Sequence, residues 1–178
     1  MSARVTIIAI GDMSEASLLR LQLEGMGADV RLCPLGKPSA FFTAFDFYGQ
    51  PADIVVLSAH GDEDGIVFPE MAPGADSLEL PGDRITPELI GRVAAQSAVV
   101  VSTACDTGKQ AFVDAFHAAG ASIYIAPEGY PDGVDVPVLL ALAFFKVLVQ
   151  QQAWVEAIKS ANDAIGTETR FSVFPAKV

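Results

Sequence analysis

The sequence has few basic residues and few cysteines, and each scarcity argues against a class of protein. Eleven Lys and Arg stand against 22 Asp and Glu, so the formal net charge is -11. A nucleic-acid partner is therefore not expected, because phosphate binding needs a basic surface. A neutral or basic substrate suits this negative field better. Two cysteines, Cys33 and Cys105, are too few for a disulfide framework in 178 residues, which predicts a reducing compartment.

Long apolar runs are missing as well. The longest, residues 138–149, is interrupted by Lys146 and falls short of the ~20 residues that a membrane-spanning helix needs. The apolar run at 5–10 is too short for a signal peptide. We therefore expect a cytoplasmic protein with no membrane partner. A composition of 51% hydrophobic and 19% charged residues is typical of a globular protein, and we expect one domain over residues 1–178.

Short β-rich runs alternate with helical patterns along the chain. Strands are predicted at 4–11, 28–36, 52–59, 97–104, 121–127 and 169–174. Helices are predicted at 14–27, 38–49, 86–95, 108–120, 135–151 and 153–165. Residues 65–83 are rich in Pro and Gly and predict a β-hairpin or a loop excursion. The alternation predicts an α/β fold in three layers, with a mainly parallel sheet that binds ligands beyond the carboxyl ends of its strands.

A histidine and a cysteine follow two successive predicted strands. The third strand runs into His60-Gly61 in "VVLSAHG", and the fourth runs into Cys105 in "VVVSTACDTG". If these strands are neighbours, their backbones lie about 4.8 Å apart, which brings an imidazole within reach of a thiol as its base. A helix that begins near Gly108 and a nearby imidazolium would both favour the thiolate. The amides of Gly61 and Cys105 would then serve as oxyanion donors.

Each of these residues also has a simpler interpretation. A strand-end histidine is usually a satisfied polar group, and an isolated buried cysteine usually packs as a small hydrophobe. Their occurrence together at successive strand ends, with Gly61 in place, favours an acyl-transfer site over two unrelated structural residues.

The two motifs resemble the His-Gly and Ala-Cys signatures of the caspase-like (clan CD) cysteine peptidases. This group holds caspases, metacaspases, gingipains, clostripain and separase. Positions 60 and 105 lie 45 apart, close to the roughly 50 residues known for caspases. Within the group the chain most resembles the CHAT branch, and the resemblance covers about residues 53–162. The segments that carry it are "VSTACDTG", "AAGASIYIAP", Asp135 before "LLALAFFKVL", and "WVEAIKSAND".

The resemblance implies a caspase-like domain, of the flavodoxin-like type, in which strand one lies between strands two and three. It also implies a cysteine endopeptidase with Cys105 as nucleophile, His60 as general base and acid, and Gly61 as oxyanion donor. Thr103 stands where metacaspases carry an acid, and the helical repeats that often accompany the branch are not seen. A catalytically silent interaction module of the same fold is therefore the alternative.

A third hypothesis, a receiver-type signalling domain of flavodoxin-like fold, agrees poorly with the sequence. It needs an Asp after the third strand and a Lys after the fifth, where this chain has His60 and Pro127.

Three acids are candidates for binding an Arg or Lys side chain before the scissile bond. Asp135 matches a pocket acid of CHAT-like and separase-like proteins, while Asp12 and Asp62 follow the first and third strands. A desolvated carboxylate pairs well with a cationic side chain, although a solvated surface position is the simpler interpretation for Asp12 and Asp62.

No cofactor is expected, and no metal site either, since adjacent acids at 62–64 lack the spaced ligands of an EF-hand. The expected partner is a peptide or protein substrate; a homo-oligomer or a regulatory partner stays open.

Overall fold

The computed structural model describes residues 2–72, 74–96 and 98–177. Its strands are, in chain order, β1 Arg4–Ile10, β2 Asp29–Leu35, β3 Asp46–Phe47, β4 Gln50–Pro51, β5 Ile54–Ser58, β6 Ile66–Val67, β7 Arg84–Ile85, β8 Val99–Ser102, β9 Ile123–Pro127 and β10 Phe171–Pro175. Its α-helices are α1 Ser14–Gly25, α2 Pro87–Ile90, α3 Gln110–Ala118, α4 Asp135–Phe144 and α5 Trp154–Ile165. A π-helical turn, Phe145–Val149, continues α4.

The central sheet has six strands in the order β10-β9-β8-β5-β1-β2. All neighbours are parallel except β10, which runs antiparallel to β9. The predicted α/β fold with a mainly parallel sheet is thereby confirmed, including the position of strand one between strands two and three. Ile8 of β1 lies opposite Leu57 of β5, which lies opposite Ser102 of β8.

Apolar side chains cover both faces of this sheet and form two cores. On one face, Leu57 and Val100 pack with residues of α2 and α3, including Phe116. On the other, Val56 and Val101 pack with residues of α1, α4 and α5, including Leu139. Each fully buried Leu, Ile or Val side chain contributes about 1.5–3 kcal/mol. The continuous apolar runs in β5 and β8 are therefore explained by burial on both faces.

Two predicted helices differ from the structure. Residues 38–49, predicted as one helix, form a 3-10 helix, Pro38–Thr43, followed by the β3–β4 hairpin. The turn is set by Asp46, whose carboxylate accepts the Gly49 N–H at 2.9 Å, and by a positive φ of 79° at Gly49, which glycine adopts easily. The predicted helix at 86–95 is shorter in the structure, where α2 has only four residues.

The excursion predicted at 65–83 is closed by the antiparallel pair β6–β7. The sequence predicts that the fourth strand begins at Ser97, which lies outside the described residues; β8 begins at Val99. In the part of the chain that the structure describes, no helix combines the length and apolarity needed to cross a bilayer.

Candidate active site

The segments that carry His60 and Cys105 leave the sheet side by side. They follow β5 and β8, which are parallel neighbours, so both segments emerge at the same edge. The pairing continues one residue past β8, because the Thr103 N–H donates to the Leu57 carbonyl at 2.8 Å. The parallel ladder therefore fixes the two segments relative to each other.

Gly61 lies directly against the segment that carries Cys105. A Cβ added at Gly61 would stand 2.7 Å from the Cys105 carbonyl oxygen and 2.8 Å from Cβ of Ala104. Real Cβ atoms do not approach other atoms this closely. The His-Gly pair therefore contains glycine because the two loops pack backbone to backbone.

His60 and Cys105 line one cavity of about 380 Å³ beyond the sheet edge. His60 is exposed and Cys105 is partly buried. The apolar lining of the cavity comes from β1, α1 and α4, and polar side chains line it as well. Its other lining residues are Ile10, Asp12, Ser14, Glu15, Leu18, Ser58, Ala59, Thr103, Pro131, Gly133, Val136 and Pro137.

A buried hydrogen-bond network holds the loop that carries Cys105. The hydroxyls of Ser102 and Thr107 lie 3.1 Å apart, and Thr107 Oγ1 donates to the Ala104 carbonyl at 2.7 Å. The fully buried Tyr124 donates its hydroxyl to the Thr107 carbonyl at 3.1 Å. Satisfied buried networks of this kind make a loop rigid.

Asp106, next to the cysteine, adopts a left-handed φ of 57°, which is uncommon outside glycine. Its N–H donates to the Gly129 carbonyl at 2.6 Å, and its carboxylate pairs with Lys109 at 2.5 Å.

The electrostatic surroundings of Cys105 oppose the thiolate. Burial raises the pKa of the Cys105 thiol; its own backbone N–H lowers that pKa, and the Asp106 and Glu15 carboxylates raise it. This direction is the opposite of the one that the sequence predicts. Helix α3 begins at Gln110, well beyond the thiol, and Lys109 is engaged by Asp106.

Asp12 lines the same cavity, where β1 gives way to α1. Its Oδ1 accepts the Ser14 N–H at 2.9 Å and the Ser14 hydroxyl at 2.8 Å. These bonds lower the pKa of Asp12, and the charge of His60 lowers it further. Asp12 is therefore ionised at neutral pH and lies within electrostatic range of His60.

Glu15 is the residue that the sequence did not indicate. It lies in the first turn of α1, and its Oε1 accepts hydrogen bonds from Ser58 Oγ and Thr103 Oγ1, both at 2.7 Å. Ser58 and Thr103 are buried and stand two residues before His60 and Cys105. The one available signal was this pair of hydroxyls at strand ends, since buried polar groups need partners.

The other two candidate acids have partners away from the cavity. Asp62 pairs with Arg84 at 2.5 Å and accepts the Asp64 N–H at 3.0 Å. The hydrogen bond from Arg84 is the main cause that lowers the pKa of Asp62. Asp135, the first residue of α4, accepts the hydroxyls of Thr167 at 2.7 Å and Thr169 at 3.1 Å. Neither is among the lining residues of the cavity in the described ranges.

Within residues 2–72, 74–96 and 98–177, no three His, Cys, Asp or Glu side chains are grouped so as to hold a metal ion.

At the level of sequence, no family model and no curated protein matches the chain. Solved structures do match. The separase of Saccharomyces cerevisiae, in its complex with securin, superposes with a TM-score of 0.63 and 11% identity, over 98% of this chain and 12% of that chain. The Arg-specific cysteine proteinase gingipain R superposes with a TM-score of 0.60 and 12% identity, over 96% of this chain and 46% of that chain. The chain has a caspase-like fold.

At these identities the likeness establishes the fold and no more. The chain spans less than half the length of either caspase-like neighbour. Within the caspase-like sheet, His60, Gly61 and Cys105 lie at the carboxyl edge, where open α/β sheets place their ligands.

Proposed function

We propose that the chain is a cysteine peptidase of caspase-like type, most similar to the CHAT branch, that hydrolyses peptide bonds with Cys105 and His60. The observation that carries this proposal is that His60 and Cys105 line one cavity, while Gly61 packs directly against the segment that carries Cys105. A nucleophile, a base and oxyanion donors at one site are the parts that acyl transfer requires.

The proposed reaction has two halves. His60 accepts the thiol proton as Cys105 Sγ bonds to the carbonyl carbon, and the same imidazole returns that proton to the leaving amine. The resulting thioester is then attacked by water, with His60 as base, which releases the acid and restores the thiol. The backbone amides of Gly61 and Cys105 would stabilise the oxyanion of each tetrahedral intermediate.

The cavity also supports a preference for Arg or Lys before the scissile bond. Asp12 and Glu15 bring two carboxylates to it, and its apolar walls suit the methylene stem of such a side chain. Gingipain R, which shares the fold, is Arg-specific. Asp12, with Glu15, is better placed for this role than Asp62 or Asp135, whose carboxylates bond to Arg84 and to two threonine hydroxyls.

The silent interaction module remains the second candidate, because one observation favours it. The pKa of Cys105 is raised by burial and by the nearby carboxylates, whereas a free-standing cysteine nucleophile usually has a lowered pKa.

A panel of fluorogenic peptides with Arg, Lys, Leu or Asp before the scissile bond tests the proposal. We expect wild type and Cys33→Ala to cleave the Arg and Lys peptides, and Cys105→Ala to cleave none. Cleavage by Cys105→Ala, or no cleavage by a wild type whose Cys105 is still alkylated by iodoacetamide, would refute the peptidase assignment.

The same panel tests the specificity. Asp12→Asn should lower the ratio of kcat/KM for Arg over Leu by about fivefold, the effect expected for one exposed charge pair in a water-like dielectric. Asp135→Asn, the matched control, should leave the ratio unchanged because that carboxylate bonds to Thr167 and Thr169. A larger loss of selectivity in Asp135→Asn would restore the assignment predicted from sequence.

A further inference from the structure

Glu15 is held in a fixed place beside the two strand ends. Its Oε1 accepts from one hydroxyl at the end of β5 and from another just beyond β8, both at 2.7 Å. The Thr103 hydroxyl is itself anchored, since it accepts the Ala59 N–H at 3.3 Å. The carboxylate of Glu15 is therefore built into the sheet edge, and it lines the same cavity as Cys105.

A fixed carboxylate and a partly buried thiol in one cavity interact through charge. Two negative charges repel more strongly where the surroundings are less polar than water, so Glu15 disfavours the thiolate of Cys105. The raised pKa of Cys105, to which Glu15 contributes, agrees with this geometry.

The other charges near Cys105 do not cancel that effect. The Asp106 carboxylate adds to it, while Lys109 is shared between Asp106 at 2.5 Å and Glu63 at 4.0 Å. The charged and titratable groups that line the cavity or act on the thiol are Asp12 and Glu15 from the β1–α1 side, His60 from the segment after β5, and Asp106 from the loop of Cys105.

We propose that Glu15 couples the charge of the bound substrate to the reactivity of Cys105: a guanidinium or ammonium group in the cavity offsets the Glu15 carboxylate and so releases the thiol for ionisation. This inference rests on the proposed function, because the cation is the side chain of the substrate. A neutral substrate of equal size fills the cavity without this effect. Selectivity for Arg or Lys would then arise in kcat as well as in KM.

The test measures the thiol directly. Iodoacetamide alkylates Cys105 by forming an S–C bond with loss of iodide and of the thiol proton, and mass spectrometry follows Cys105 and Cys33 separately in one sample. The pH–rate profile is recorded for the whole chain alone, with benzamidine as the cationic probe, and with benzamide as its neutral isostere. The midpoint of the profile reports the ionisation of the thiol, whereas simple blockage of the cavity lowers only the plateau.

We expect benzamidine to move the Cys105 midpoint to lower pH, so that alkylation near pH 7.5 quickens by about threefold, the size of a half-unit change in pKa. Benzamide should not move the midpoint, and the Cys33 profile should stay unchanged. Glu15→Gln keeps an oxygen that accepts from Ser58 and Thr103. We expect its midpoint to lie below that of wild type, although burial and Asp106 still raise the pKa of Cys105, and to respond weakly to benzamidine. Glu156→Gln, at an exposed position of α5, should behave as wild type.

Failure of the coupling and failure of the peptidase proposal give different results. A wild-type midpoint that benzamidine leaves in place, in a chain that cleaves the Arg peptide, overturns the coupling alone. A midpoint that moves as expected, in a chain that cleaves no peptide, supports the coupling and contradicts the peptidase proposal. A Glu15→Gln midpoint equal to that of wild type, with benzamidine still active on both, overturns the role of Glu15.

Discussion

Substitution of Gly61 by alanine tests whether the contact between the two loops is as close as the structure gives it. The new methyl group would stand 2.7 Å from the Cys105 carbonyl oxygen and 2.8 Å from Cβ of Ala104. Backbone atoms cannot yield as a flexible side chain does, so the loops must move apart by several tenths of an ångström. Overpacking of this kind typically costs about 1–3 kcal/mol in the free energy of unfolding.

Two measurements follow from that magnitude. In a domain of this size about 1 kcal/mol lowers Tm by roughly 2–4 °C, so Gly61→Ala should melt about 2–12 °C below wild type. Cleavage should also slow. A displacement of about 1 Å in a catalytic group can reduce the rate on the order of 10²-fold, so a shift of several tenths of an ångström should reduce it by roughly tenfold.

Gly36→Ala is the matched control, since a Cβ at Gly36 meets no atom within 4 Å. A Gly61→Ala variant with the Tm of Gly36→Ala and the cleavage rate of wild type would refute the backbone contact between the loops.

Two further predictions concern interactions near the candidate site, a buried hydrogen bond and an ion pair. Tyr124→Phe leaves the buried Thr107 carbonyl without its 3.1 Å donor, so we expect urea denaturation to show a loss of about 1–3 kcal/mol; an unchanged free energy of unfolding would mean that the network does not brace the Cys105 loop. Arg84→Gln removes the partner that lowers the pKa of Asp62. A carboxyl group whose pKa is lowered in the folded state contributes stability above its unfolded-state pKa of about 4, and this contribution is lost as the pH falls through the folded-state pKa. The difference in Tm between wild type and Arg84→Gln should therefore shrink between pH 6 and pH 2. A constant difference would contradict the ion pair.

The parts of the fold that local pattern determines could be predicted from the sequence. The runs that became β5 and β8 are continuous and apolar because both faces of the sheet are covered, and the residues after such strands must emerge at one edge. Residues 38–49 could not be predicted in the same way, since an aromatic-rich segment after a proline suits a helix, and its conformation depends on the turn at Asp46 and Gly49.

The charges at the site depend on contacts that are distant in the sequence. Glu15 and Thr103 are 88 residues apart in the chain and bond at 2.7 Å. In sequence, Glu15 is an ordinary acid in the first turn of a helix, stabilised there by the helix dipole. Its position at the cavity that Cys105 also lines follows from the packing of α1 on one face of the sheet, which no local pattern specifies.

The Glu15 carboxylate affects both the stability of the fold and the reactivity of Cys105. Ser58 and Thr103 are buried at the end of the sheet. Leaving the Ser58 hydroxyl without a partner would cost about 1–3 kcal/mol, whereas the Thr103 hydroxyl also lies 3.2 Å from the Leu57 carbonyl. Glu15 satisfies both, and a neutral acceptor in its place would do so without opposing the thiolate. The acid at this position therefore has a consequence that stability alone does not require: with burial and the Asp106 carboxylate, it raises the pKa of the Cys105 thiol. In our proposal, a positive charge in the cavity offsets this contribution of Glu15.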